Sequence, residues 1–161
     1  MKKTFILILL ISTIFLSGCG LFNLNGWVIP DDKDFLEVVE SLDTPEKIVN
    51  YMYDNFEVEM HAIYTPDPYI LWVTKKGDCN DFSTFAVFVA NYHGYKTYQV
   101  TINNEHAIAI YKEEGKYTFS SSRKYYPAMA DTLKECVLSH PGKINSYKIY
   151  DYDNKLIEEG K

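Results

Sequence analysis

The stretch from Asp78 to Gly94 limits what this chain can fold into more than any other part of it. Phe82, Phe85, Ala86 and Val89 recur at helical spacing, and Val87 and Phe88 fill positions between them. A helix that is apolar on nearly every face has to be enclosed by other elements. Its ends are marked in the sequence. Asp78 is an N-cap residue, and Asp81 three positions on completes a capping-box-like pair. Gly94, after Asn91-Tyr92-His93, is the left-handed stop. Cys79 is then the first residue inside the helix. A thiol is reactive as the thiolate, which a helix start favours through free N–H groups and the positive end of the macrodipole. Cys79 is therefore a candidate nucleophile, with a small buried core residue as the competing role. Asp78 and Asp81 work against activation, because carboxylates beside sulfur favour the neutral thiol.

Strand-like patterns follow the helix. Tyr95 to Ile102 alternates, with Tyr98, Val100 and Ile102 on one face. Asn103-Asn104 predicts a turn in which both residues tolerate positive φ. A second strand is predicted over Glu105 to Lys112, and the period of two puts His106 on the face of Ile108 and Ile110. Glu113-Glu114-Gly115 turns the chain into a third strand, Lys116 to Ser121. His106 is the candidate base for Cys79, against the alternative of a strand histidine bonded to backbone. Beyond these, Ala128 to Leu138 reads as weakly helical, and Ser146 to Tyr152 with Lys155 to Glu158 as a hairpin around Asp153-Asn154. Upstream, Asp34 to Leu42 has helical spacing, and Thr44-Pro45-Glu46 starts a second helix whose buried stripe runs to Phe56. Met60 to Asp67 reads as irregular, broken by Pro66 and Pro68, and Ile70 to Val73 as a short apolar element.

The first 18 residues read as a leader. Lys2 and Lys3 precede an apolar run, Phe5 to Leu16, that is short for a membrane span. Leu16-Ser17-Gly18-Cys19 resembles a bacterial lipobox. That resemblance implies cleavage before Cys19, lipidation of its sulfur and a membrane-anchored protein facing outside the cytoplasm. A plain secretion signal with an incidental Cys19 is the alternative. The expected organisation is a signal peptide over 1–18, a lipidated tether over 19–32 and one domain over 33–161. Without Lys2 and Lys3, 14 basic residues face 22 acidic ones, a net charge of −8. With Arg123 the sole arginine and no basic run, nucleic acid is not an expected partner. Cys79 and Cys136 remain as a pair that an oxidising compartment would allow to bridge, which is a structural alternative to catalysis. His61, His93 and His140 read as surface or loop residues. None has ligand spacing with a cysteine, so neither a metal nor a cofactor is expected.

A helix-borne cysteine, a strand, a turn, a histidine opening the next strand and then a third strand resemble the transglutaminase-like superfamily of papain-type thiol enzymes. The residues that carry the likeness are Gly77, Asp78 and Cys79, the helix to Gly94, the strand Tyr95 to Ile102, and His106-Ala107 opening Ile108-Ala109-Ile110. The resemblance implies an α+β fold: a papain/transglutaminase-like core, its central helix carrying Cys79 on an antiparallel sheet, preceded by two or three helices. It implies cysteine-dependent acyl transfer or amide hydrolysis on protein or peptide substrates. Cell-wall endopeptidases whose helix opens with Asp-Cys-Ser-Gly also pair cysteine with histidine, but Asn80-Asp81 follows the cysteine here. Family members usually place an aspartate on the strand after the histidine, and here Phe119-Ser120-Ser121 stands there. Ser120 or Ser121 is the expected substitute, with Asp131 swinging in, or an inactive binding module, as alternatives. Trp72 and Asp78 are candidates for the pocket and oxyanion region, with core packing the competing role for Trp72.

Overall fold

A computed structural model describes residues 21–22, 27–61 and 66–161. The expected leader and Cys19 lie outside the described residues. In chain order, a two-residue ladder pairs β1 (Leu21–Phe22) with β2 (Val28–Ile29), and three helices follow: α1 (Lys33–Ser41), α2 (Pro45–Asn55) and α3 (Pro68–Thr74). Two short strands, β3 (Glu57–Val58) and β4 (Lys76–Gly77), run parallel and deliver the chain to α4 (Cys79–Tyr92). Next come β5 (Lys96–Ile102), β6 (His106–Glu113), β7 (Lys116–Ser121), β8 (Lys124–Ala130), α5 (Leu133–Leu138), β9 (Tyr147–Asp151) and β10 (Leu156–Gly160). The six long strands form one antiparallel sheet in the order β10-β9-β5-β6-β7-β8. The fold is α+β, with α4 on a sheet and three helices ahead of it.

The start of α4 is built as its sequence dictates. The Asp78 side chain accepts from the backbone N–H of Asn80 at 2.8 Å, and the Asp81 carboxylate accepts from the Asp78 N–H at 2.8 Å. Every residue from Asp81 to Ala90 is buried. Phe85 meets Phe56 edge-on at 5.2 Å, and Phe88 stacks on Phe35 of α1 at 6.2 Å. On the sheet side, Ala109 and Tyr111 of β6 belong to the same cluster. The opposite face of the sheet carries a second cluster: Val100, Ile108, Ile110, Phe119 and Ile149, covered by Cys136 and Val137 of α5. Alternation along β6 thus assigns odd-numbered residues to α4 and even-numbered ones to α5.

Three segments differ from the sequence expectation. Pro68 opens a helix and does not break one: Asp67 caps the N–H groups of Tyr69 and Ile70, and Pro68 sits at the first position of α3, where a missing N–H costs nothing. The stretch expected to be helical from Ala128 begins instead as β8, whose Pro127 is exposed on the sheet's outermost strand, where a missing N–H leaves no ladder bond unmade. Helix α5 starts only at Leu133, capped by Thr132 and Glu135. Finally, part of the expected tether belongs to the body of the protein. Ile29 is buried in the α4 cluster, and Trp27 packs edge-on to Phe88 at 6.0 Å. Asn103, Asn104 and Asn154 all take positive φ as expected, but the first turn extends through Glu105, so β6 opens at His106.

Replacing Phe85 by Ala removes a ring with no solvent exposure from the centre of the α4 cluster. The expected cost is about 3–5 kcal/mol of unfolding free energy, read as a lower guanidinium midpoint at unchanged slope.

Candidate active site

Cys79 stands at the head of α4 with its sulfur against three backbone N–H groups: those of Ala107, of Asn80 and of Cys79 itself. Ala107 is the residue after His106, so the opening of β6 lies against the helix start. Burial pushes the Cys79 thiol above its ordinary pKa, the Ala107 N–H pulls it back, and the neighbouring Asp78 carboxylate raises it again. The net direction is upward, so the thiol is neutral at pH 7. The helix start offers less to an oxyanion than its sequence suggests. The Asn80 and Asp81 N–H groups are taken by the Asp78 side chain, and that of Phe82 by the Asp78 carbonyl. Of the opening N–H groups of α4, that of Cys79 is the one that Asp78 does not take among the described residues.

His106 projects to the α5 side of the sheet. Its Nε2 lies 2.8 Å from Ser121 Oγ, and burial holds the ring below the ordinary histidine range. Among the described residues no hydrogen bond joins Cys79 to His106. Of the two candidate serines, Ser121 therefore reaches the imidazole. Ser120 does not: it points to the α4 side and bonds the Tyr111 hydroxyl. Asp131 does not reach the pair either; it bonds Lys116 at the surface. Trp72 packs among Phe35, Tyr69 and Lys75. Cys136 is a free thiol, fully buried on the sheet-facing side of α5, and Cys79 is free as well.

Two of the histidines read as surface or loop residues do lie in loops, and both reach the site. His140, just after α5, places its Nε2 3.3 Å from Ser121 Oγ, with its ring centroid 5.5 Å from that of His106. His61 lies 2.6 Å from Asp81 Oδ2 and 3.9 Å from Asp78 Oδ2, so it meets both carboxylates that flank Cys79. The imidazole and the two carboxylates offer ligand atoms within 4.8 Å of one another, an array that could hold a divalent ion. Nothing in the local sequence of either histidine marks it, because both approach from loops far away in the chain. The third, His93, caps the α1 carbonyl of Val39 at 2.8 Å. Beside Asn80 a depression of about 380 Å³ opens between α4 and the β5–β9 side of the sheet, walled by Thr84, Gln99, Thr101 and Asp151. The Gln99 amide is held there by the hydroxyls of Ser83, at 2.8 Å, and Thr84, at 3.2 Å.

No family model matches this chain, and no curated protein matches it. Among solved structures it is similar to a putative cysteine protease from Cytophaga hutchinsonii, with a TM-score of 0.44 and 12% identity. That similarity covers 80% of this chain and 55% of the other, so the chain spans about half the length of the protein it matches.

The two thiols should separate on alkylation. Cys136, pushed by burial up to about 12, stays unreactive until the protein unfolds. Cys79 reacts in the native protein, with a midpoint above the free-thiol value of about 8.5. Iodoacetamide rates read by mass spectrometry across pH 6 to 10 check both, and a Cys79 midpoint below 8 would overturn the electrostatic account.

Proposed function

We propose that the chain is a transglutaminase-like thiol protein that transfers acyl groups from peptide or protein carboxamides. The observation that carries this reading is the seating of Cys79 at a helix start against the backbone of the His106 strand, with His106 held through Nε2 by a hydroxyl. Nε2 is committed to Ser121, so Nδ1 is the nitrogen left for the thiol proton. Sγ adds to the carbonyl carbon while its proton passes to Nδ1, and the Cys79 N–H faces the resulting oxyanion. The protonated ring then gives that proton to the departing amine as the C–N bond breaks. The acyl-thioester is released to water or to a second amine. The polar depression beside Asn80 suits an extended peptide bearing amide side chains. Ser121 can orient the imidazole but adds no charge to stabilise the imidazolium, as an acid would.

A second reading is a peptide-binding module on the same fold, and the neutral thiol without a bond to His106 favours it. One experiment divides the two. Incubating the full-length chain in detergent with p-nitrophenyl acetate should give an acetyl adduct on Cys79, absent in Cys79→Ala. Adduct formation should slow about 10²-fold in His106→Ala, the lower end of general-base contributions. Equal rates in wild type and His106→Ala would leave only the binding module.

The same proposal places the protein on the outer side of a bacterial membrane, anchored at Cys19. Expression in a bacterial host should yield a chain cleaved before residue 19 and carrying a lipid mass. Cys19→Ala should remain uncleaved, and an unlipidated wild type in the soluble fraction would refute the anchor.

A further inference from the structure

His106 and His140 approach one oxygen from two sides, and the backbone decides which way the protons between them run. The Gly142 N–H donates to His140 Nδ1 at 3.0 Å. A backbone amide is a donor only, so that nitrogen carries no proton and the neutral ring is protonated on Nε2. His140 Nε2–H then donates to Ser121 Oγ at 3.3 Å. The Ser121 hydroxyl has one further partner among the described residues, His106 Nε2 at 2.8 Å, so it donates there. The proton of a neutral His106 is thereby placed on Nδ1. Glycine at 142 fits this chain of bonds: an added Cβ would lie 3.0 Å from His140 Cε1 and 3.1 Å from Nδ1.

We propose that His140 is a positioning residue which, through Ser121, locks His106 in the tautomer with its proton on Nδ1. The inference rests on the acyl-transfer reading for its consequence but not for its geometry. A ring already protonated on Nδ1 cannot accept the Cys79 proton there. Acceptance requires the proton on His106 Nε2, which leaves Ser121 either accepting from both rings, its own O–H without a partner among the described residues, or donating to His140 Nε2 with a proton on His140 Nδ1 facing the Gly142 N–H. The first forfeits a hydrogen bond and the second sets two donors against each other, so the accepting state is the minor one. The lock acts as a brake on the site, and the minor fraction scales the observed rate. Both rings are held below the ordinary histidine range, His140 by burial and by His106, which keeps the pair neutral at pH 7. An acid at position 121 would reverse the lock, because a carboxylate only accepts and would call for a proton on His106 Nε2.

The test is the tautomer itself, read from the imidazole nitrogens of the ¹⁵N-labelled full-length chain in detergent at pH 8. The four histidines are assigned by single substitutions to glutamine. Wild-type His106 should show a protonated Nδ1 and a bare Nε2. In His140→Phe the two nitrogen shifts should converge as both tautomers populate, and in Ser121→Asp they should exchange. Acetylation of Cys79 in Ser121→Asp should rise about 10²-fold or more, since a misplaced tautomer in a triad costs up to about 10⁴-fold. A wild-type His106 protonated on Nε2 overturns the proposal without any variant, and so does a His106 tautomer unchanged in His140→Phe. An Nδ1–H tautomer with no Cys79 adduct in any variant would leave the lock standing and sink the acyl-transfer reading. An adduct formed by a chain whose His106 carries its proton on Nε2 would do the reverse.

Discussion

The reciprocal cap between Asp78 and Asp81 is the interaction on which the rest of this structure depends. It closes the start of a helix that is buried along most of its length, where uncapped N–H groups would have no water to turn to. It also fixes the direction in which Cys79 leaves the helix and uses up the amides that would otherwise face an anion. Asp78, one of the two carboxylates that secure the helix, adds to burial in holding back the thiol. Stability and reactivity compete within four consecutive residues. His61, resting on both acids, is a cation-capable group placed to relieve that competition. Gly77 belongs to the arrangement, because a Cβ there would come within 2.7 Å of Asp81 Cβ and 2.8 Å of Leu71 Cδ1.

The sheet divides the chemistry between two faces. The α4 side takes Tyr111 and Ser120, and the α5 side takes His106, Ser121 and His140. The Cys79 sulfur reaches the opening of β6 at the Ala107 N–H, while the His106 ring beside it turns to Ser121 on the α5 side. That arrangement accounts for a thiol governed mainly by burial and neighbouring backbone, and for a histidine governed by what lies beneath the sheet.

Helix α4, its caps and the hairpins after it were legible in the sequence because each rests on local chemistry. An aspartate three residues before another, a glycine past the last turn and paired asparagines between alternating strands state their conformations directly. The face assignment of His106 followed from the same period of two. What could not be read is what comes together from afar. Pro66 and Pro68 mark a break or a start with equal force, and only the Asp67 cap decides for α3. Strand β8 has an alternation weakened by its exposed outer face, so Ala128 onward passed for helix. His61 and His140 reach the site from loops 18 residues before Cys79 and 19 residues after Ser121, with no pattern to announce them. Ser120 and Ser121 were indistinguishable until the sheet assigned them opposite sides.

The pairing of β6 with β7 turns on Glu113-Glu114-Gly115, where Glu114 and Gly115 both adopt positive φ. Ser120 and Ser121 differ only in parity, so the length of that turn determines which hydroxyl faces the histidines. Losing or gaining one residue there would leave an acceptable hairpin, and in principle a foldable chain, yet would hand His106 a different neighbour. Loops of this kind usually accept length variation freely. In this molecule the turn works as a ruler, and descendants of the sequence are free to change its composition far more readily than its count.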